Sequence, residues 1–486
     1  MSRLANSGIV ALERAESGRA VRGWLVPSII GSALLMQSLS ATVLFNALPV
    51  IAHALHEDPL RLNLAVTLYL LSSAVFLPLS GWAADKFGAR RVLVLAMILY
   101  ALSSAMCGFA TSLWELLAAR TLQGLASAMM APVGRLVLLR TTPKGELVGA
   151  MSVLSTPALL GPVIGPLLGG AIVTFWDWRW IFFMNLPIAV IGVALVLRYV
   201  PNVQEQEVSP LDWRGVFLTG VGLSGLIFGF ENLGRDALPP AAVAGLFIVG
   251  IVSLWLYGRH AHRNPNAIID LSLFRLPTFN AAVIGGGFMR ITLGASPFLL
   301  AMLFQIGFGL SPFRAGLLTF ISAAGALAMK TAAPPILRRF GFRRVLIVNT
   351  FITAALFLVY ALFKPETPHW IIMVLLLAGG FFRSLQFTGL NGLAYADIDQ
   401  PRMSRATTMS SMSQQLVQSI GIGLAALLLH ATMQLRGETR ITVDAVAPVF
   451  VIIGLITFIS LAYYVRLPRN AGDEMAGRAI VTEADS

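Results

Sequence analysis

The sequence predicts an all-α polytopic membrane protein, and three observations carry that prediction. Apolar runs of about 20 residues recur along the whole 486-residue chain, each long enough to cross about 30 Å of hydrocarbon as a helix. Charged residues make up only 12% of the chain, about half the share of an ordinary soluble domain. Hydrophobic residues make up 57%, and the mean hydropathy is +0.78. A soluble fold could not cover that much apolar surface. Helices follow rather than open strands, because a helix satisfies its own backbone in lipid.

Taken in order, residues 1–24 carry Arg3, Arg14, Arg19 and Arg22 and read as a cytoplasmic tail. The first apolar run, 25–50, is too long for a signal-peptide core and reads as a retained span. Spans 2 to 6 lie at 61–83, 92–111, 113–134, 148–175 and 179–198, and spans 7 and 8 at 215–233 and 240–258. Spans 9 to 14 lie at 278–303, 312–333, 345–363, 368–394, 406–432 and 445–466. The polar stretch 469–486 reads as a short mobile tail on the cytoplasmic side.

Orientation follows from the 35 Lys and Arg. With the N-terminus inside, seven fall outside: Arg61, Arg179, Arg235, Arg314, Lys364, Arg436 and Arg440. Four fall within spans: Arg120, Arg290, Lys330 and Arg383. The remainder lie in the cytoplasm, so both termini are expected there. The net charge of +12 then reflects basic cytoplasmic loops, not a nucleic-acid partner. "WDWRW", Trp176 to Trp180, sits at an outer boundary, as an aromatic belt would. The single cysteine, Cys107, lies in an apolar run and excludes disulfides and cysteine metal sites.

The chain contains a repeat. "KFGARRVLVL" from Lys86 matches "RFGFRRVLIV" from Arg339, which pairs Gly88 with Gly341. The same spacing pairs Met36 with Met289, Pro59 with Pro312 and Arg61 with Arg314. "RTLQ" at Arg120 matches "RSLQ" at Arg383 at a spacing about ten residues longer, the difference entering a loop. Span 1 thus maps onto span 9 and span 4 onto span 12, in parallel. Two six-helix bundles are expected, at 25–199 and 277–468, with two inserted helices and their loops at 200–276. Internal repeats with a site at their interface are the architecture of secondary transporters.

Four motifs resemble the major facilitator superfamily, and within it the fourteen-helix drug–proton antiporters of the EmrB/QacA type. "GWAADKFGARRVL", Gly81 to Leu93, resembles the superfamily's loop 2–3 signature, and "RTLQGLASAMMAP", Arg120 to Pro132, its span 4 motif. "GPVIGPLLGG", Gly161 to Gly170, is similar to the antiporter motif of span 5. "WRWIFFMNLP", Trp178 to Pro187, is similar to the opening of span 6. The resemblance covers about residues 25–466. It implies multidrug efflux by alternating access, with proton antiport, across a bacterial inner membrane. It implies a small-molecule substrate, protons and membrane lipids as partners, no cofactor and no enzymatic activity, and a monomer. Whether a periplasmic adaptor joins the export path is left open.

Each motif also has a physical reading. Gly81 and Gly88 permit close helix approach and a tight turn. Asp85 can hold a helix end or an arginine, and Arg90 and Arg91 can pair with acids or lipid phosphates. The resemblance makes this set an inner gate. The second copy carries Arg338 where Asp85 stands, so only the first can latch through an acid. Gly161, Pro162, Gly165, Pro166, Gly169 and Gly170 make a smooth helix face, which the resemblance directs against the other half. The span 1 motif departs from the family: Ser40 stands where the antiporters carry an acid.

No span holds a midplane carboxylate, yet Arg120, Arg290 and Arg383 lie well inside spans. An intramembrane charge costs at least about 2.5–3.5 kcal/mol and should face a cavity or a partner. A polar set is therefore expected between the halves: Gln37, Ser40, Asn46, Arg120, Gln123, Arg290, Arg383, Gln386 and Asn391. The alternative is that each arginine only bonds helix carbonyls. A positive cavity would favour anionic or zwitterionic amphiphiles. Glu115, five residues before Arg120, is the proton-coupling candidate. Lys330 lies nearer the cytoplasm and is expected to snorkel.

Other signals carry no function. "GVGLSG" from Gly220 lies inside a span with no strand before it, so it is not a dinucleotide fingerprint. His260 and His262 stand without further ligands, so no metal site is expected. Three classes remain: a proton-coupled exporter, an uncoupled uniporter or exchanger of an organic anion, and a non-transporting membrane sensor.

Overall fold

The computed structural model describes residues 24–478 apart from 41–42, 45–46, 48–49, 58, 203–207, 209, 234–237, 265, 311 and 439. Side chains at 59–61, 63, 158–159, 162–163, 166–167, 170, 174 and 312–313 also lie outside the description. The described residues form helices and turns and contain no strand. In chain order the helices are α1 Trp24–Ser40, then α2, Pro59–Phe76 continued as Leu79–Phe87. Next come α3 Ala89–Phe109, α4 Leu113–Thr141 and α5 Leu147–Phe175, and α6 Trp180–Tyr199. The inserted pair is α7 Trp213–Asn232 and α8 Pro240–Ala261. The second bundle holds α9 Pro277–Gly307, α10 Pro312–Phe340, α11 Phe342–Tyr360, α12 His369–Leu393, α13 Met403–Arg436 and α14 Val443–Tyr464. Eleven of these are long and apolar enough to span a membrane, and the two pieces of α2 together make a twelfth. With α1 and α5 the series is compatible with fourteen spans.

Packing repeats as the sequence does. In the first bundle α4 packs on α2 and α3, and α6 on α3; in the second α12 packs on α10 and α11, and α14 on α11. The link between α2 and α3 turns at Gly88 (φ +89°) and that between α10 and α11 at Gly341 (φ +75°). Only glycine takes that backbone region without strain, which is why both copies keep it. The copies differ one turn earlier. A 58° bend breaks α2 at Pro78, whereas α10 runs unbroken through Pro334 and Pro335.

The two bundles meet along a seam of α2, α4 and α5 against α10, α12 and α13. The inserted α7 lies against α2 and α13 and so touches both bundles, while α8 packs on α7 and is largely exposed. The hydrophobic core shows where the seam is tight. At the end bearing the basic α2–α3 and α10–α11 loops, one cluster runs through both bundles, from Leu93, Leu138 and Val148 to Phe342, Leu393 and Met475. At the opposite end each bundle keeps its own cluster, around Cys107 and Phe182 in the first and Phe357 and Phe450 in the second. The molecule is closed at its basic end.

The tail differs from the sequence expectation. Residues up to Arg478 fold back under the seam, with Ala471, Met475 and Ala476 buried. Gly472 sits against Phe342 and Leu393 of the second bundle, and Gly477 against Gly145 of the first. Lys144 donates to Glu474 at 2.9 Å. The few apolar residues of "NAGDEMAG" supply this docking; the polar composition of the stretch hides it.

Candidate functional site

At the basic end, Asp85 near the end of α2 accepts from Arg140 on α4 at 2.9 Å. It also accepts from the Ser404 hydroxyl on α13, in the other bundle. Ser404 is the second residue of its helix, so the carboxylate lies at a helix N-terminus, where negative charge is favoured. The acid thus holds an arginine and a helix end together. Gly81, one turn earlier, faces the Ser404 carbonyl and the Thr408 side chain, and an added Cβ would fall within 3 Å of both. Arg90 donates to the Val200 carbonyl at 3.4 Å, and Arg91 is exposed. Arg140 was not singled out by the sequence, since it lies outside the motif that names Asp85.

The polar set expected between the bundles divides into three groups. The first stays inside the first bundle. Arg120 is 1% exposed, donates to the Ala65 carbonyl at 3.2 Å and to Gln123 Oε1 at 2.5 Å, and lies over the Tyr69 ring at 4.3 Å. Gln123 donates to Ser104 at 3.3 Å. Asn185 Nδ2 donates to Ser104 at 3.0 Å and to Ser40 at 2.9 Å. A polar thread therefore joins α4, α3, α6 and α1, and the position of the missing acid is bonded to Asn185. Asn185 stood inside the quoted span 6 motif, but nothing in the sequence placed it beside Ser40. Gln37 is half-buried on α1, and Asn46 lies outside the described residues.

The second group stays inside the second bundle. Arg383 donates to the Gly379 carbonyl at 3.2 Å, to Ser296 on α9 at 2.5 Å and to Ser322 on α10 at 2.6 Å. Gln386 accepts from Asn349 at 2.7 Å and donates to Thr350 at 3.2 Å. For Arg120 and Arg383 the partners are thus carbonyls, hydroxyls and an amide of their own bundle. Glu115 does not meet Arg120. It is exposed at the start of α4, where it accepts from the Thr111 backbone at 2.8 Å, while Ser112 caps the helix by accepting from the Glu115 backbone.

The third group reaches the seam. Arg290 is 1% exposed and donates to Asn391 at 3.3 Å and to the Ala282 carbonyl at 2.8 Å. Ala282 lies in a π-helical turn at the start of α9, a feature frequent at functional sites. Asn391 also accepts from Gln414 on α13 at 3.3 Å. Gln414 in turn accepts from Arg135 on α4, which also donates to Ser411. The chain Arg135–Gln414–Asn391–Arg290 crosses from one bundle to the other.

Lys330 completes the group and corrects the expectation that it snorkels. It is 7% exposed, and its Nζ donates to Ser155 on α5 at 2.8 Å and to Thr388 on α12 at 3.1 Å. Phe387 lies between Lys330 and Arg290, with its ring 5.7 Å and 5.9 Å from their charges. Among the described residues no carboxylate pairs with Arg120, Arg290, Lys330 or Arg383, and no cluster of His, Cys, Asp or Glu could hold a metal.

Two of the described small residues of α5, Gly161 and Gly169, turn toward α1 rather than across the seam. A Cβ at Gly161 would strike Ser38 of α1, and one at Gly169 would press on Val43. Gly161, Gly165 and Gly169 recur every four residues and so share one face. Among the described residues, α5 presents Val148, against Gly392, and Ser155 to the other bundle. Pro162, Pro166 and Gly170 lie in the same helix, and their side chains are not described.

A family model described as "Major Facilitator Superfamily" matches residues 30–422 and 282–480. Proteins named "Putative multidrug resistance protein MdtD" from Shigella flexneri and from Escherichia coli (strain SMS-3-5 / SECEC) are each 37% identical over 440 residues, covering 90% of this chain and 92% of the relative. Among solved structures, the human organic anion transporter MFSD10 (TETRAN) aligns with a TM-score of 0.62 at 15% identity, over 90% of this chain and 99% of that one. The proton:xylose symporter XylE aligns with a TM-score of 0.64 at 12% identity, over 94% and 98%.

Proposed function

The chain belongs to the major facilitator superfamily, and from that premise we propose that it exports amphiphilic small molecules by alternating access, as a proton antiporter whose positive seam favours zwitterions. It is a multi-pass membrane transporter and not an enzyme. In this reading it is a monomer in a bacterial inner membrane with both termini cytoplasmic, so the basic end faces inward. Asp85, with Gly81, Gly88, Arg90 and Arg91, then forms the inner gate, closed through Arg140 and Ser404. The names of the MdtD relatives support efflux of drugs.

The observation that carries the substrate class is the charge of the seam. Arg135, Arg290 and Lys330 face it with amide and hydroxyl partners. Each costs several kcal/mol to bury, and an anionic group on the substrate would offset that cost. A purely cationic substrate would add to it.

A second reading is uncoupled transport of an organic anion. The Ser40–Asn185 pair favours it, because neither group can carry a proton. Outward movement of an anion is also favoured by an inside-negative potential, by about 2.3 kcal/mol per charge per 100 mV. The test is uptake by proteoliposomes with an acidic lumen of three dyes: zwitterionic rhodamine B, its cationic ethyl ester, and anionic fluorescein. Antiport predicts uptake of rhodamine B that collapses with the pH gradient and exceeds that of the ester. Preferred uptake of the ester would overturn the substrate class.

A further inference from the structure

The seam needs a group that can exchange a proton, and arginine does not give one up. We propose that Lys330 takes up and releases the coupling proton; the proposal rests on the antiport reading above.

Lys330 is buried along α10, and it stands where the bundles meet. It is held by one hydroxyl from each bundle, Ser155 on α5 and Thr388 on α12. The Ser155 hydrogen is directed at the Met151 carbonyl at 2.7 Å, so Ser155 can only accept from the lysine. A neutral amine keeps two N–H donors, enough for both hydroxyls. An ammonium adds a third, and among the described residues only Ser155 and Thr388 accept from Lys330. The contact across the seam therefore survives loss of the proton, and the protonated form is favoured only by these two hydroxyls.

The surroundings favour exchange. α5 contributes no titratable side chain. From α9 the nearest charge is Arg290 across Phe387, from α4 it is Arg135, and α12 carries Arg383, already held by Ser296 and Ser322. On its own helix Lys330 is flanked by Arg314, Arg338 and Arg339 toward the two ends. All are cations, so among the described residues no carboxylate is placed to retain the ammonium, and burial alone opposes it.

The proton step is simple: the amine lone pair binds a proton arriving from the open side, and the ammonium returns it on the other. Its sign fixes the substrate. A proton on Lys330 expels a cationic group and attracts an anionic one, so pure anions would travel with the proton, not against it. Antiport requires a substrate whose positive end competes with that proton. A negative end could rest on Arg135 and Arg290, whose charges are permanent. The arrangement thus selects zwitterions, with the Phe387 ring available to a planar cation.

The experiment compares wild-type and Lys330→Arg protein in proteoliposomes, measuring rhodamine B uptake with and without an acidic lumen. Arginine keeps the charge and the reach but cannot cycle its proton. Wild type should give a driven-to-undriven ratio well above 1, and Lys330→Arg a ratio of about 1. A variant ratio equal to that of wild type overturns the role of Lys330. A wild-type ratio of 1 with rhodamine B still exchanging across the membrane overturns the antiport reading instead. If Lys330→Arg fails to fold, Ser155→Ala with Thr388→Val should move the pH midpoint of driven uptake down by about 1 unit, since both acceptors are lost. An unchanged profile overturns the proposal.

Discussion

Asp85 on α2 and Ser404 on α13 meet side chain to side chain across the seam, and this pair joins the basic ends of the two bundles. Asp85 also neutralises Arg140, whose side chain is 3% exposed. Asp85→Asn keeps the shape but removes the charge. It should weaken closure of the basic end by about 1–3 kcal/mol. Cys107 is the only cysteine and is buried, which makes a labelling assay clean. A Val148→Cys reporter at the seam should react faster with an impermeant maleimide from the basic side when Asp85→Asn is added. Unchanged labelling would mean the pair does not hold the gate.

Arg120 and Arg383 serve their own bundles. Replacing Arg120 by Leu strips two charge-assisted bonds, and replacing Arg383 by Leu strips three, from carbonyls, hydroxyls or an amide. Each variant should lose about 2–4 kcal/mol of stability, read as a lower thermal midpoint in detergent. Lysine should rescue poorly, because one ammonium cannot reach partners set around a planar fork. Selective loss of transport at unchanged stability would instead place these arginines on the substrate.

Gly380 separates packing that can yield from packing that cannot. A Cβ there would lie 1.7 Å from the Ser322 backbone carbonyl, and backbone cannot swing aside. Gly380→Ala should cost about 3 kcal/mol or more by parting α12 from α10. Gly258→Ala on α8 meets open space and should be neutral or stabilising by up to about 1 kcal/mol. Thermal midpoints of the two variants, measured side by side, check the contrast.

The docked tail offers two contacts of unequal weight. The Lys144–Glu474 pair is about half exposed on both sides, and such pairs contribute about 0–1 kcal/mol. Met475 is 1% exposed, and burying a methionine contributes about 1.5–3 kcal/mol. Glu474→Gln should therefore leave the thermal midpoint nearly unchanged, while Met475→Asp lowers it and exposes the tail to protease.

Much of this architecture is legible in the sequence, for physical reasons. The repeat survives because each bundle needs the same glycine turn, so Gly88 and Gly341 mark one another. Asp85 is legible because it is the one acid in a basic loop. The fate of the buried cations is not. Burial cost says that Arg120, Arg290 and Arg383 need partners, but not which helix supplies them. The partners are Ala65, Ser296, Ser322 and Asn391, 55 to 101 residues away. A shared polar cavity was therefore expected where the structure builds two separate braces and one crossing chain. Lys330 was assigned to the membrane surface by its distance from the span end. Its hydroxyl partners, one of them 175 residues away on α5, hold it inside instead.

The central claim is that substrate and proton compete for one seam. The direct measurement is proton release when rhodamine B binds the purified protein in weakly buffered detergent. The account predicts that binding releases protons, and that the release vanishes in Lys330→Arg. Binding of rhodamine B with no proton released, or with protons taken up, would contradict it.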